Sequence, residues 1–66
     1  MILKKLAKHG SPYDRGSADS YYSRPPNPHY YEGFDRVELI DMTLNEIREY
    51  HEGYRENEDL MLKKEY

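Results

Sequence analysis

The sequence predicts a small α+β domain, with two main helices packed across each other and one or two short strands and a proline-rich elbow between them. Three observations lead there: a capped helix start at Ser11-Pro12-Tyr13-Asp14, an alternating run from Phe34 to Ile40, and a complete capping-box pattern at Thr43 and Glu46. Sixty-six residues form one domain, 1–66, opening on a basic segment (1–10) and closing on an apolar and basic tail (60–66). A chain of this size buries only roughly 60% of the surface it exposes when unfolded. With no cysteine, it also has no disulfide or thiolate metal site as a staple. Self-association is therefore expected, with a dimer favoured. Aliphatic residues are scarce and tyrosines number eight, so tyrosine is expected to fill the core that leucine usually fills.

Ile2, Leu3, Leu6 and Ala7 alternate with Lys4, Lys5 and Lys8 at helical spacing, and Gly10 is a fitting stop. So short a segment reads equally as a strand or as a tail ordered by a partner. Helix one is expected from about 12 to 22, with Ser11 as cap, Pro12 in the first turn and Asp14 closing the box. Its body (Gly16, Ser17, Ala18 and Ser20) is thin, which lets another backbone come close; interior glycine usually has such a packing reason. Arg24-Pro25-Pro26-Asn27-Pro28 excludes helix and central strand and forms a rigid elbow leading into His29, Tyr30 and Tyr31, followed by a turn at Glu32 and Gly33. Phe34 to Ile40 puts Val37 and Leu39 on one face and Arg36 and Glu38 on the other, a strand whose partner is either residues 28–32 or its own copy in a dimer. Helix two starts at Leu44 behind the Thr43 cap, with Met42 and Ile47 spaced as a hydrophobic staple. Its inward stripe is expected to be Ile47, Tyr50, His51 and Tyr54, with Gly53 meeting Gly16 near the crossing; Glu46, Glu49, Glu52 and Glu56 point outward, and the helix breaks near Asn57.

The net charge of −3 conceals an asymmetry. Residues 1–31 carry five bases and two acids, residues 32–66 five bases and eleven acids. Such a split suits head-to-tail docking or a basic face that meets an anion. No glycine-rich phosphate loop, metalloprotease helix or nucleophile elbow is present, and His9, His29 and His51 stand alone in sequence, so the reading is non-enzymatic, without metal or cofactor. No run is long enough for a signal peptide or membrane span, so a cytoplasmic chain with no membrane partner is expected.

What remains is an aromatic and basic collection suited to phosphate and flat rings, with Arg15, Tyr21, Arg24, His29, Tyr30 and Tyr31 as candidate ligand-binding residues. Tyr13, Tyr22, Tyr50 and Tyr54 read as core instead. A phosphate-bearing ligand such as a nucleotide signal is the leading expectation. The alternative is a protein-docking inhibitor that uses Glu49, Glu52 and Glu56 with Leu60, Met61 and Leu62.

Arg15-Gly16-Ser17-Ala18, then Arg24-Pro25 and Asn27-Pro28, then Glu52-Gly53-Tyr54-Arg55-Glu56, resembles the two-helix layout of the ribosome modulation factor and related short proteins. That resemblance implies contact with RNA or the ribosome, a third expectation. The chain is also similar in style to small tyrosine-rich proteins of bacteriophages. This likeness implies a sponge for a host nucleotide signal or an inhibitor of a host protein, acting in the host cytoplasm.

Overall fold

The computed structural model describes residues 9–64, so the expected N-terminal segment of residues 2–8 lies outside the described residues. Helix α1 spans Pro12–Tyr21, strands β1 (His29–Glu32) and β2 (Asp35–Glu38) form an antiparallel hairpin, a single 3-10 turn covers Leu39–Asp41, and helix α2 spans Leu44–Leu60. The expected α+β architecture is present, with α1 and α2 packed on each other and the hairpin against them.

Both helices start as their sequences dictate. Ser11 Oγ accepts from the Asp14 amide at 3.2 Å, and Pro12 occupies the first turn, where a missing amide donor costs nothing. The Asp14 carboxylate accepts from the Gly10 amide at 3.0 Å rather than from Ser11, so it anchors the incoming chain and closes no box. At α2 the box is reciprocal: Thr43 Oγ1 accepts from the Glu46 amide at 3.2 Å and Glu46 Oε1 from the Thr43 amide at 2.8 Å. The two helices also end alike, with the amide five residues on reaching back to a helix carbonyl: Arg24 to Asp19 at 2.8 Å and Leu62 to Asn57 at 3.4 Å. These ends put Ser23 (φ 59°) and Met61 (φ 56°) in the left-handed conformation that usually goes to glycine.

The helices cross backbone to backbone. A Cβ added at Gly16 would stand 2.0 Å from the Tyr50 carbonyl oxygen, and one added at Gly53 would stand 2.1 Å from that of Tyr13. Around this point the helices carry matching residues. Tyr13, Gly16, Asp19 and Ser20 of α1 correspond in spacing to Tyr50, Gly53, Glu56 and Asn57 of α2. Each tyrosine hydroxyl donates to the other helix's acid, Tyr13 to Glu56 and Tyr50 to Asp19, and the Asn57 amide donates to Ser20 Oγ at 3.0 Å.

The core is accordingly small and polar. Tyr50, at 0% exposure, is the one buried large hydrophobic among the described residues, and it lies with buried Ser17, Asp19, Ser20, His29 and Asn57. The expected stripe of α2 is corrected by this interface: Tyr50, Gly53 and Asn57 are buried, Ile47 and Tyr54 half-buried, and His51 is exposed with its edge on Tyr50. Glu46 and Glu56 are half-buried rather than outward, because Glu46 closes the cap and Glu56 receives Tyr13. The helix also does not break at Asn57. The buried Asn57 amide donates to the Leu62 carbonyl at 2.7 Å as well as to Ser20, which holds the last turn and folds the tail back onto α1. Lys64 continues that return by donating its amide to the Tyr21 carbonyl at 2.7 Å. Tyr22, expected in the core, is 39% exposed, since α1 ends at Tyr21 and the chain turns outward there.

The hairpin pairs His29 with Glu38, Tyr30 with Val37, Tyr31 with Arg36 and Glu32 with Asp35. Its two-residue turn is Gly33-Phe34, with Gly33 at φ +63° in the first position as such hairpins require. Phe34 is thereby fully exposed at the tip, and the strand stops at Glu38, so Leu39 and Ile40 leave the sheet and stand in solvent. On the other side of β1, the Tyr31 amide donates to the Gly10 carbonyl at 2.8 Å.

Candidate functional site

A cleft of about 560 Å³ opens between α1, the elbow and the face of the hairpin that carries His29 and Tyr31. Each element contributes by its own geometry. On α1, Arg15 and Asp19 are four residues apart and share a face. The elbow adds Arg24, Pro25 and Asn27, with Arg24 fixed by the turn that ends α1. On β1, His29 and Tyr31 point the same way because strand side chains alternate, and the register sets Arg36 opposite Tyr31.

Three guanidinium groups therefore line one concavity. Arg15 and Arg36 lie over the Tyr31 ring, with their guanidinium carbons 5.7 and 6.0 Å from its centre. Arg36 Nε donates to Glu38 at 2.8 Å and its Nη1 to the Tyr31 hydroxyl at 3.4 Å; these two contacts, with the Tyr31 hydroxyl first, raise the guanidinium pKa above its ordinary value. Arg24 Nη1 donates to Asp19 at 3.1 Å, and its guanidinium lies 4.9 Å from the Tyr22 ring centre. Arg15 is the least committed. Its Nη1 lies 3.7 Å from Asp14, and its Nε is the one buried side-chain polar atom without a hydrogen-bond partner among the described residues.

The floor is rigid. Asp19, 3% exposed, accepts from the Tyr50 hydroxyl and from Arg24, and the Tyr50 hydroxyl in turn accepts from the Asn27 amide at 2.9 Å. Burial, before any other cause, pushes the Tyr50 hydroxyl well above the usual tyrosine range, so it stays a donor to Asp19. His29 is 4% exposed, and its Nδ1 lies 2.7 Å from the Asn27 carbonyl, which can only accept, so Nδ1 carries a proton. Tyr54 ties the elbow to α2 through its hydroxyl, which donates to the Arg24 carbonyl at 2.5 Å.

Of the residues singled out from sequence, Arg15, Arg24, His29 and Tyr31 meet at this cleft, and Tyr21 and Tyr30 do not. Tyr30 points to the opposite side of β1, where its hydroxyl meets Glu46; that hydrogen bond is the main cause of its raised pKa. Tyr21, six residues after Arg15, falls on another face of α1 and lines a separate groove with Ala18, Tyr22 and Leu62. Arg36, read from sequence only as sharing a strand face with Glu38, also joins the cleft; the turn expected at Glu32-Gly33 lies at Gly33-Phe34, and that register sets Arg36 opposite Tyr31. Of the residues considered for docking, Glu49 and Glu52 are exposed, Leu60, Met61 and Leu62 are 44%, 78% and 48% exposed, and Glu56 is committed to Tyr13. Among the described residues, no group of three His, Asp or Glu side chains is placed to hold a metal ion, and no helix is long and apolar enough to cross a membrane.

No family model matches the chain, and no curated protein or solved structure is significantly similar to it.

Proposed function

We propose that this chain is a non-enzymatic binding protein that holds a phosphate-bearing ligand in the cleft of Arg15, Arg24, Arg36, His29 and Tyr31. The observation that carries this reading is the convergence of three guanidinium groups, with a single facing carboxylate, Asp19, whose two oxygens already accept from Arg24 and Tyr50. Planar guanidinium forks match phosphate oxygens in pairs, and Arg15, whose Nη1 lies 3.7 Å from Asp14, is the least committed of the three. A volume of about 560 Å³ falls within the range of small-molecule sites. The rigid elbow and the buried floor preorganise the donors, which lowers the ordering cost of binding.

Isothermal titration with ATP tests the proposal. Binding by the parent chain, weakened about tenfold or more in Arg15→Ala and in Arg36→Ala, is the expected result, since a hydrogen bond to a charged group contributes about 1.5–3 kcal/mol. Equal binding by parent and both variants would refute it.

A second reading, docking onto a protein or a second copy, is favoured by the exposure of apolar side chains. Phe34, Ile40 and Leu44 are 102%, 90% and 78% exposed, in addition to the tail residues Leu60 and Met61. Sedimentation of the purified chain would reveal the copy-to-copy form as a dimer, and charge reversal at Glu49 and Glu52 would weaken capture of a host protein if the acidic helix were the docking element.

A further inference from the structure

Resting on the phosphate-cleft reading, we infer that the cleft recognises the phosphate chain of its ligand and not a base, so that its ligand class is a polyphosphate, inorganic or nucleoside-borne. The flat rings at the cleft are already occupied. Tyr31 carries Arg15 and Arg36 over its ring, and its hydroxyl accepts from Arg36. Tyr22, beside Arg24, carries that guanidinium at 4.9 Å and Lys64 Nζ at 6.0 Å from its ring centre. The His29 side chain is 6% exposed and wedged between Tyr31 and Tyr50, with ring centres 5.9 and 5.8 Å away, so neither face is open to a base. A site that reads bases stacks them on free aromatic faces. Here the same tyrosines serve as beds on which cations are laid.

The donors that remain suit a chain of oxyanions. Arg15 and Arg36 both approach within 6.0 Å of one ring centre from different elements, α1 and β2, and Arg24 joins them from the elbow. Each guanidinium has five N–H donors, of which Arg24 spends one on Asp19 and Arg36 spends two on Glu38 and Tyr31. Three forks around one cleft can engage successive phosphoryl groups, whereas one isolated phosphate would satisfy at most part of the set.

The test is a titration series of tripolyphosphate, ATP, GTP, CTP, AMP and inorganic phosphate against the parent chain, Arg36→Ala and Arg36→Lys, with circular dichroism to establish that each variant is folded. The inference expects tripolyphosphate and the three triphosphates to bind within about threefold of one another, and AMP and phosphate to bind at least about tenfold more weakly. Arg36→Ala and Arg36→Lys should weaken ATP and tripolyphosphate by the same factor, because the lost contact is to phosphate in both. A nucleotide bound about tenfold more tightly than tripolyphosphate, or an Arg36→Ala effect on ATP alone, overturns the inference and leaves the phosphate cleft standing. No binding by any member of the series overturns both.

Discussion

Gly16 and Gly53 each lie against the backbone carbonyl of the tyrosine three residues before the other, with no room for a Cβ at either position. This close approach sets the positions of everything else in the core. It brings the Tyr13 hydroxyl to Glu56 and the Tyr50 hydroxyl to Asp19, and so builds the floor of the arginine-lined cleft from the outside of a helix crossing.

Alanine at Gly16 or Gly53 therefore has to push two helix backbones apart. Overpacking of this kind typically costs about 1–3 kcal/mol and can exceed it where the obstacle is backbone. With Tyr50 the one buried large hydrophobic side chain among the described residues, we expect either variant to be largely unfolded by circular dichroism at 25 °C. Gly33→Ala is the contrasting control. Nothing lies within 4 Å of its would-be Cβ, so only the cost of φ +63° applies, about 1 kcal/mol, and the variant should fold with a lowered Tm. A folded Gly16→Ala protein with parental Tm would contradict the crossing.

The two tyrosine–acid pairs match in pattern but differ in depth. Tyr50→Phe removes a donor from the buried Asp19 carboxylate and an acceptor from the Asn27 amide, whereas Tyr13→Phe affects a half-buried pair. Leaving a buried polar group without its partner costs about 1–3 kcal/mol, and an ordinary net hydrogen bond contributes about 0.5–1.5 kcal/mol. Urea unfolding should therefore rank Tyr50→Phe below Tyr13→Phe, and both below the parent. The reverse order would mean that Asp19 is not the critical carboxylate.

Stability should fall away on both sides of neutrality, for different reasons. Glu46, held by the Thr43 amide and then by Tyr30, and Glu58, held by Lys63 and then by Ser20, are lowered from the ordinary glutamate value of 4.5. The folded state thus binds those protons less tightly than the unfolded chain, and the contribution is whole above pH 4.5 and lost as the pH falls through the lowered values. Tyr50 and Tyr30 are raised from 10.0, so their contribution is whole below pH 10.0 and declines above it. Thermal melts across this range should give a plateau with two falling limbs. The acid limb should be shallow, because Glu58 is exposed and Glu46 only half-buried, so water weakens their ion pairs and hydrogen bonds. Tyr50→Phe should flatten the alkaline limb, and an alkaline limb unchanged in that variant would assign it elsewhere.

Much of the fold was legible because it depends on local rules. Ser11 and Thr43 announced both helix starts, the small body of α1 announced a close crossing, and the alternation around Val37 announced a strand. Less legible was anything set by a one-residue difference in direction. Tyr30 and Tyr31 are neighbours of the same type, and only the strand's alternation sends one to Glu46 and the other to the cleft. Asn57 looked like a helix breaker because its composition suits an end, yet its burial against Ser20 and Leu62 makes it a helix holder. The shared spacing of tyrosine, glycine, acid and a small polar residue on the two helices was present in the letters all along. It became readable only once the glycines were seen to face each other.

That shared spacing makes the helix pairing code nearly self-complementary: a second α2 would present Gly53 to Gly53, Tyr50 to Glu56 and Asn57 to Asn57. What selects α1 as the partner is then a matter of effective concentration. Residues 22–43 tether the two helices, and a tether of that length holds its ends at local concentrations on the order of millimolar. The hairpin and elbow, besides bearing most of the cleft, thus hold the two halves of this pairing pattern on one chain.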